Sequence, residues 1–122
     1  MIKTELVNGV GKASVLVVDF QSNVLDTTFF REIDNTLSHI EEYQSKSGDQ
    51  KIDGVVFTSS KDKIFLAGAD LFYLNELMKS SDPYGGRMLK AILEEGQSIF
   101  NRIEQLRVPT VAAIHGMCLG GG

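Results

Sequence analysis

The chain of 122 residues has one cysteine, two prolines and no tryptophan. A single cysteine, Cys118, cannot close an internal disulfide, and a free thiol fits a reducing compartment. No apolar stretch is long enough to span a bilayer. The N-terminus carries an early lysine and no long apolar run, so no secretory signal is expected and a cytoplasmic location is. Basic residues are scarce: 12 Lys and Arg face 16 Asp and Glu, for a net charge of −4. They form no cluster, which excludes a nucleic-acid surface. The missing tryptophan and the scatter of the seven phenylalanines say nothing about the fold.

What is present fits one small globular domain, with 43% hydrophobic residues and a mean hydropathy of −0.02. Residues 2–7 read as a strand, Asn8-Gly9 as a turn and residues 13–20 as a second strand, together a hairpin. Residues 21–26 are too polar and irregular to extend it. A helix should start near Thr27 or Thr28, with either hydroxyl as cap, and carry Phe29, Ile33, Leu37 and Ile40 on its apolar face. Residues 45–50 form a polar break. Residues 54–59 are the next strand, residues 61–63 a charged turn, and residues 64–71 an apolar run ending in small residues. Leu71, Leu74, Leu77 and Met78 mark a short helix. Residues 80–86 read as a flexible segment with an Asp82-Pro83 turn. A long helix over residues 87–106 should follow, with Met88, Ile92, Ile99, Ile103 and Leu106 on one face; Gly96 weakens it without ending it. Pro109 opens a last strand, where its missing N–H is tolerated. Strands alternating with helices predict an α/β class.

Residues 108–122 organise the rest. Residues 111–114 are apolar and small, which suits a strand covered on both faces. Gly120, Gly121 and Gly122 then remove every Cβ from the turn, so a backbone N–H can approach a ligand oxygen. Ala67-Gly68-Ala69-Asp70 has the same design: an apolar strand, a small-residue step, then a helix. Two such N–H groups aimed at one point would make an oxyanion hole, although small-residue turns are more often only turns. A dinucleotide reading of the glycines fails, because residues 116–122 lack the G-x-G-x-x-G spacing.

The chain resembles the crotonase (enoyl-CoA hydratase/isomerase) superfamily. The resemblance is carried by Ser22-Asn23-Val24-Leu25-Asp26, by Phe65-Leu66-Ala67-Gly68-Ala69-Asp70-Leu71 and by residues 108–122. Within that superfamily, residues 98–106 running into Val108-Pro109-Thr110 are similar to the hydratase end of the multifunctional α-subunit of the fatty-acid oxidation complex. The resemblance implies a spiral of ββα units and a thioester oxygen held by the backbone N–H groups of Ala69 and Gly121. Val24, Leu25, Ala67, Gly68, Asp70, Leu71 and Gly120 become candidates to contact substrate. In hydratases two glutamates then add water across a 2,3-double bond. Both would fall beyond Gly122, so the chain is expected to be the N-terminal part of such a domain, inactive by itself. The family implies no cofactor for hydration. An NAD site is implied only if a dehydrogenase part follows, and a homo-oligomer or multienzyme complex is expected.

Other residues admit two readings each. His115 is better read as a strand-end histidine bonded to backbone than as a base, and Cys118 as a small buried thiol than as a nucleophile activated by His115. Asp70 is best read as a helix cap. Lys61 and Lys63 could meet CoA phosphates, but lysines in a charged turn more often meet water. Glu94 and Glu95 belong to a solvated helix face. Three functions therefore compete: a hydratase; another crotonase-type isomerase, dehalogenase, hydrolase or decarboxylase; and an inactive acyl-CoA-binding or assembly module.

Overall fold

The structure, a computed structural model, describes residues 1–11, 13–44, 51–79 and 83–122. Its elements run β1 (Ile2–Val10), β2 (Ala13–Phe20), α1 (Thr27–Gln44), β3 (Gly54–Thr58), β4 (Ile64–Leu66), α2 (Leu71–Lys79), α3 (Pro83–Glu104), β5 (Thr110–Ala112) and β6 (Met117–Cys118). Two ββα units are thus followed by a third strand pair. The expected polar break at residues 45–50 and the Asp82 end of the expected turn lie outside the described residues.

A four-stranded sheet has the order β1-β2-β3-β5, and β4 pairs with β6 in a second, small sheet. β1 and β2 are antiparallel; β2, β3 and β5 are parallel. Strand β1 continues through Asn8-Gly9, where the expected turn becomes a bulge. Gly9 takes a φ of 88° there, and the chain turns two residues later at Gly11. The β-propensity of the flanking residues and their pairing with Ser14 and Ala13 outweigh the local turn signal.

Alternation along β2 places Leu16, Val18 and Phe20 on the core face, in register with Val55 and Phe57 of β3. Helix α1 supplies the other half of the core, with Phe29, Ile33, Leu37 and Ile40 buried as their spacing predicts. Its cap is Asp26 rather than either threonine. The Asp26 carboxylate accepts the Phe29 N–H at 2.7 Å, three residues on, which leaves Thr27 and Thr28 inside the first turn. Six of the seven phenylalanines form a chain of contacting rings: Phe57 and Phe65 each meet Phe20, which leads through Phe29 and Phe30 to Phe100.

Helix α3 begins at Pro83, four residues before the expected start, since proline is accepted in a first helical turn. Of its expected face only Ile99 is fully buried, and Met88 is exposed. Arg102 ties α3 to α1 through Asp34 and Glu41. The last strand also departs from expectation. β5 is an edge strand, and Val111 is 58% exposed, so it is not covered on both faces. Among the described residues no helix is long and apolar enough to cross a membrane.

Candidate active site

Because β2, β3 and β5 are parallel, their C-terminal ends lie along one edge of the sheet, where open α/β sheets bind ligands. One segment that leaves that edge meets two that leave the small β4-β6 sheet. Residues 21–26 follow β2, the step after β4 carries Ala67 to Asp70, and the step after β6 carries Leu119 to Gly122.

The first two segments are stitched by backbone bonds. Ala67 N–H donates to Asn23 C=O at 2.7 Å, Leu25 N–H to Gly68 C=O at 2.8 Å and Asp70 N–H to Leu25 C=O at 3.2 Å. Gly68 and Asp70 both turn their polar groups toward Leu25. In an extended segment the intervening Ala69 N–H therefore faces the opposite side. The third segment is aligned by β4 and β6, with Leu119 N–H donating to Leu66 C=O at 3.0 Å. The two glycine steps then pack directly together. Gly68 has a φ of 89°, and a Cβ there would stand 2.9 Å from the Leu119 carbonyl oxygen. Both the conformation and the close approach demand glycine. Gly121 is crowded by side chains rather than backbone, since a Cβ would lie 2.9 Å from Leu25 Cδ1 and 3.3 Å from Phe100 Cζ, so a methyl there requires Leu25 to shift.

Ala69 and Gly121 line one largely apolar cavity of about 190 Å³, walled by Leu25, Phe30, Leu93 and Phe100. Neither the Ala69 N–H nor the Gly121 N–H has a hydrogen-bond partner among the described residues. Two residues with unpaired N–H groups, more than fifty positions apart in the chain, thus line one apolar space. Two carboxylates also border it, but both are occupied. Asp26 caps α1, and Asp70 caps α2 by accepting the Phe72 and Tyr73 N–H groups at 3.0 and 3.2 Å.

The model of the family described as enoyl-CoA hydratase/isomerase matches residues 11–122. The chain belongs to the enoyl-CoA hydratase/isomerase family. Among its relatives, the fatty acid oxidation complex subunit alpha of Idiomarina loihiensis is 36% identical over 115 residues, which is 94% of this chain and 14% of that protein. The same-named protein of Shewanella oneidensis is 40% identical over 100 residues, 82% of this chain and 12% of that protein. The chain therefore spans about one-eighth to one-seventh of the length of these relatives. An enoyl-CoA hydratase from Bacillus anthracis superposes with a TM-score of 0.73 at 25% identity, covering 99% of this chain and 42% of that one. AtuE of Pseudomonas aeruginosa, at 18% identity and a TM-score of 0.75, shares the fold.

The residues expected at the site fall unevenly around the cavity. Leu25, Ala69, Asp70 and Gly121 line it; Val24, Ala67, Gly68, Leu71 and Gly120 do not. Gly68 and Gly120 instead form the contact between the two turns, and Leu71 is 74% exposed. His115 bonds through Nε2 to the Lys61 carbonyl at 2.5 Å, away from the cavity, and Cys118 packs half-buried against the core. Glu94 pairs with Lys90 on an exposed face of α3. Lys63 is exposed.

Lys61 is neither exposed nor aimed at solvent. Its ammonium donates to Phe20 C=O and Ser59 Oγ at 2.6 Å each and to Phe65 C=O at 3.2 Å. Burial pushes its pKa below the ordinary 10.5, with the Asp19 charge opposing. Burial raises Asp19, but bonds from Ser60 and Gln21 and the Lys61 charge outweigh it and hold the carboxyl below its ordinary 3.8. Sequence reading also missed the α3 wall of the cavity. Its signal was present in Leu93, Gly96 and Phe100, which share one helical face at spacings of three and four.

Proposed function

We propose that this chain supplies the acyl-CoA-binding and oxyanion-stabilising part of an enoyl-CoA hydratase that adds water to 2-enoyl-CoA in fatty-acid β-oxidation. The observation that carries the reading is the pair of unpartnered N–H groups, Ala69 and Gly121, on one apolar cavity. Addition of water at C3 moves negative charge onto the thioester oxygen. Fixed donors beside an apolar wall stabilise that charge without having to reorganise. The apolar walls suit the acyl chain and strengthen the donors by lowering the local dielectric. The relatives' name, a subunit of a fatty acid oxidation complex, supports a place in a multienzyme assembly. Hydration itself needs no cofactor.

The acid and base are not among the groups facing this cavity, because both of its carboxylates are held as helix caps. The 122-residue chain alone should therefore give no hydration of crotonyl-CoA above a matched blank, since acid–base catalysis contributes typically about 10²–10⁴-fold. Turnover by the pure chain would place the acid and base within it.

The donors are tested in the intact family domain with Ala69→Pro and Gly121→Pro, which remove the N–H itself. Ala69→Gly and Gly121→Ala keep the N–H and control for shape, the second for the crowding against Leu25. Each proline should lower kcat about 10²–10³-fold relative to its control. The red shift of the bound thioester carbonyl band in the infrared should shrink in parallel. A folded Gly121→Pro enzyme that matches Gly121→Ala in both readouts would remove Gly121 as a donor and end the reading.

A further inference from the structure

From the bonds around one ammonium group we infer that Lys61 is a positioning residue, fixing where the three site-forming segments leave their strands. The inference rests on the proposed role of Ala69 and Gly121 and adds a residue that touches neither the cavity nor either donor.

A lysine ammonium has three protons, and here all three are used, at or next to three different strands. Phe20 C=O is the last residue of β2, immediately before the segment that carries Leu25. Ser59 follows the last residue of β3. Phe65 C=O belongs to β4, four residues before Ala69. The buried Ser59 hydroxyl reinforces the knot, lying 2.9 Å from Phe20 C=O and 3.2 Å from Ile64 C=O. The Asp19 carboxylate accepts the Ser60 N–H at 2.7 Å and fixes the start of the loop that carries Lys61. The backbone of that loop reaches the third segment as well. Lys61 C=O receives His115 Nε2, and Lys63 C=O accepts the Met117 N–H at 2.8 Å, at the first residue of the strand that aligns Gly121. One side chain and its own carbonyl therefore join the exits of β2, β3, β4 and β5.

A solvated lysine would gain nothing from this geometry. A half-buried one loses its hydration, and only a full set of acceptors offsets that loss. The bonds draw together the Phe20 and Phe65 carbonyls, which belong to different strands and have no mutual attraction. Without the ammonium they repel, and the β4 exit is free to relax. Since Ala69 N–H must face the cavity while Gly68 and Asp70 face Leu25, a small rotation of that exit turns the donor away from the substrate oxygen.

The test is Lys61→Met in the intact family domain, which keeps the length of the side chain and removes all three donors. Misplacement of about 1 Å at a reacting centre can lower the rate roughly 10²-fold. The expected result is a kcat for crotonyl-CoA reduced to about that extent, with KM changed less than about twofold. Amide chemical shifts of Ala69 and Gly121 should move, and the red shift of the bound carbonyl should be reduced. A purely structural role would instead lower the melting temperature and leave kcat per folded molecule unchanged; that outcome overturns the inference. Should Lys61→Met fail to fold, Ser59→Ala keeps the ammonium and removes one of its acceptors, together with the bond the hydroxyl itself donates to a strand carbonyl. It should lower kcat at least roughly fivefold with KM unchanged, one hydrogen bond being worth about that factor, and an unaltered kcat there is equally fatal. Ala69→Pro and Gly121→Pro separate the two ideas. If they abolish the carbonyl shift while Lys61→Met leaves it intact, only the positioning role fails. If they leave it intact, the donor reading itself fails.

Discussion

At the scale of single residues, the site depends on glycines whose neighbours leave no room for a side chain. Gly68→Ala must hold an L-residue at a φ of 89° and bring its methyl to within 2.9 Å of the Leu119 carbonyl. Left-handed backbone and overpacking together should lower stability by about 2–4 kcal/mol, read as a lower urea midpoint. The two caps act independently of this. Asp26→Ala and Asp70→Ala should each cost about 1 kcal/mol, while Thr27→Ala and Thr28→Ala should stay within a few tenths, because neither threonine caps α1. If Thr28→Ala proved the more damaging at α1, the cap would be misassigned. Asp19 adds a pH dependence whose sign follows from its depressed pKa. Its folded value lies below the ordinary 3.8, so its contribution is present above pH 3.8 and lost as pH falls through the folded value. Asp19→Asn should flatten the acid limb of the stability curve below about pH 4; an unchanged limb would show that its bonds to Ser60 and Gln21 contribute nothing.

At the scale of elements, periodicity was a good guide to helices and a poor one to their surroundings. Helix α1 was legible because its apolar spacing coincides with real burial at Phe29, Ile33, Leu37 and Ile40. Helix α2 shows the same kind of spacing, yet none of its residues is buried and Phe72 is 86% exposed. An apolar stripe reports what a helix can cover, not what covers it. The hairpin was legible while its turn was not, since Asn8-Gly9 is also a bulge signal and only pairing with Ser14 and Ala13 decides between the two. Of the site, the two small-residue steps stood out in sequence because both break an apolar run in the same way. Their contact at Gly68 and Leu119, and the binding of Lys61 to three strand ends, are long-range facts that spacing cannot carry. The burial contrast between α1 and α2 has a direct readout. In the 122-residue chain, α1 amides near Ile33 and Leu37 should exchange slowest and α2 amides near Phe72 and Met78 among the fastest. Equal protection of the two helices would mean that α2 is covered by something, most simply a second copy of the chain.

At the scale of the whole molecule, the surface is not finished where the site is built. Strand β5 is the edge of the main sheet, and its apolar residues and those that follow stand in the open: Val111 at 58%, Ile114 at 55% and Leu119 at 53% exposed. Met117 lies between them and is also exposed. An edge strand presents unpaired N–H and C=O groups, and this one carries no charged residue over residues 110–114 to discourage pairing. The two features reinforce each other. Backbone pairing along β5 would bury the same side chains that burial alone would favour covering, and contiguous apolar surface of this kind marks an association face. The 122-residue chain in isolation should therefore self-associate as its concentration rises, seen as a growing scattering mass and a melting transition that depends on concentration. Val111→Lys and Ile114→Lys place charge on that edge without touching the Ala69–Gly121 cavity, and either should shift the chain toward monomer. If the parent chain is already monomeric across the accessible range and melts in one cooperative step, the exposed edge drives no association. If instead association persists in the lysine variants, it belongs to another face, and the exposed Leu71 and Phe72 of α2 are the next to be replaced.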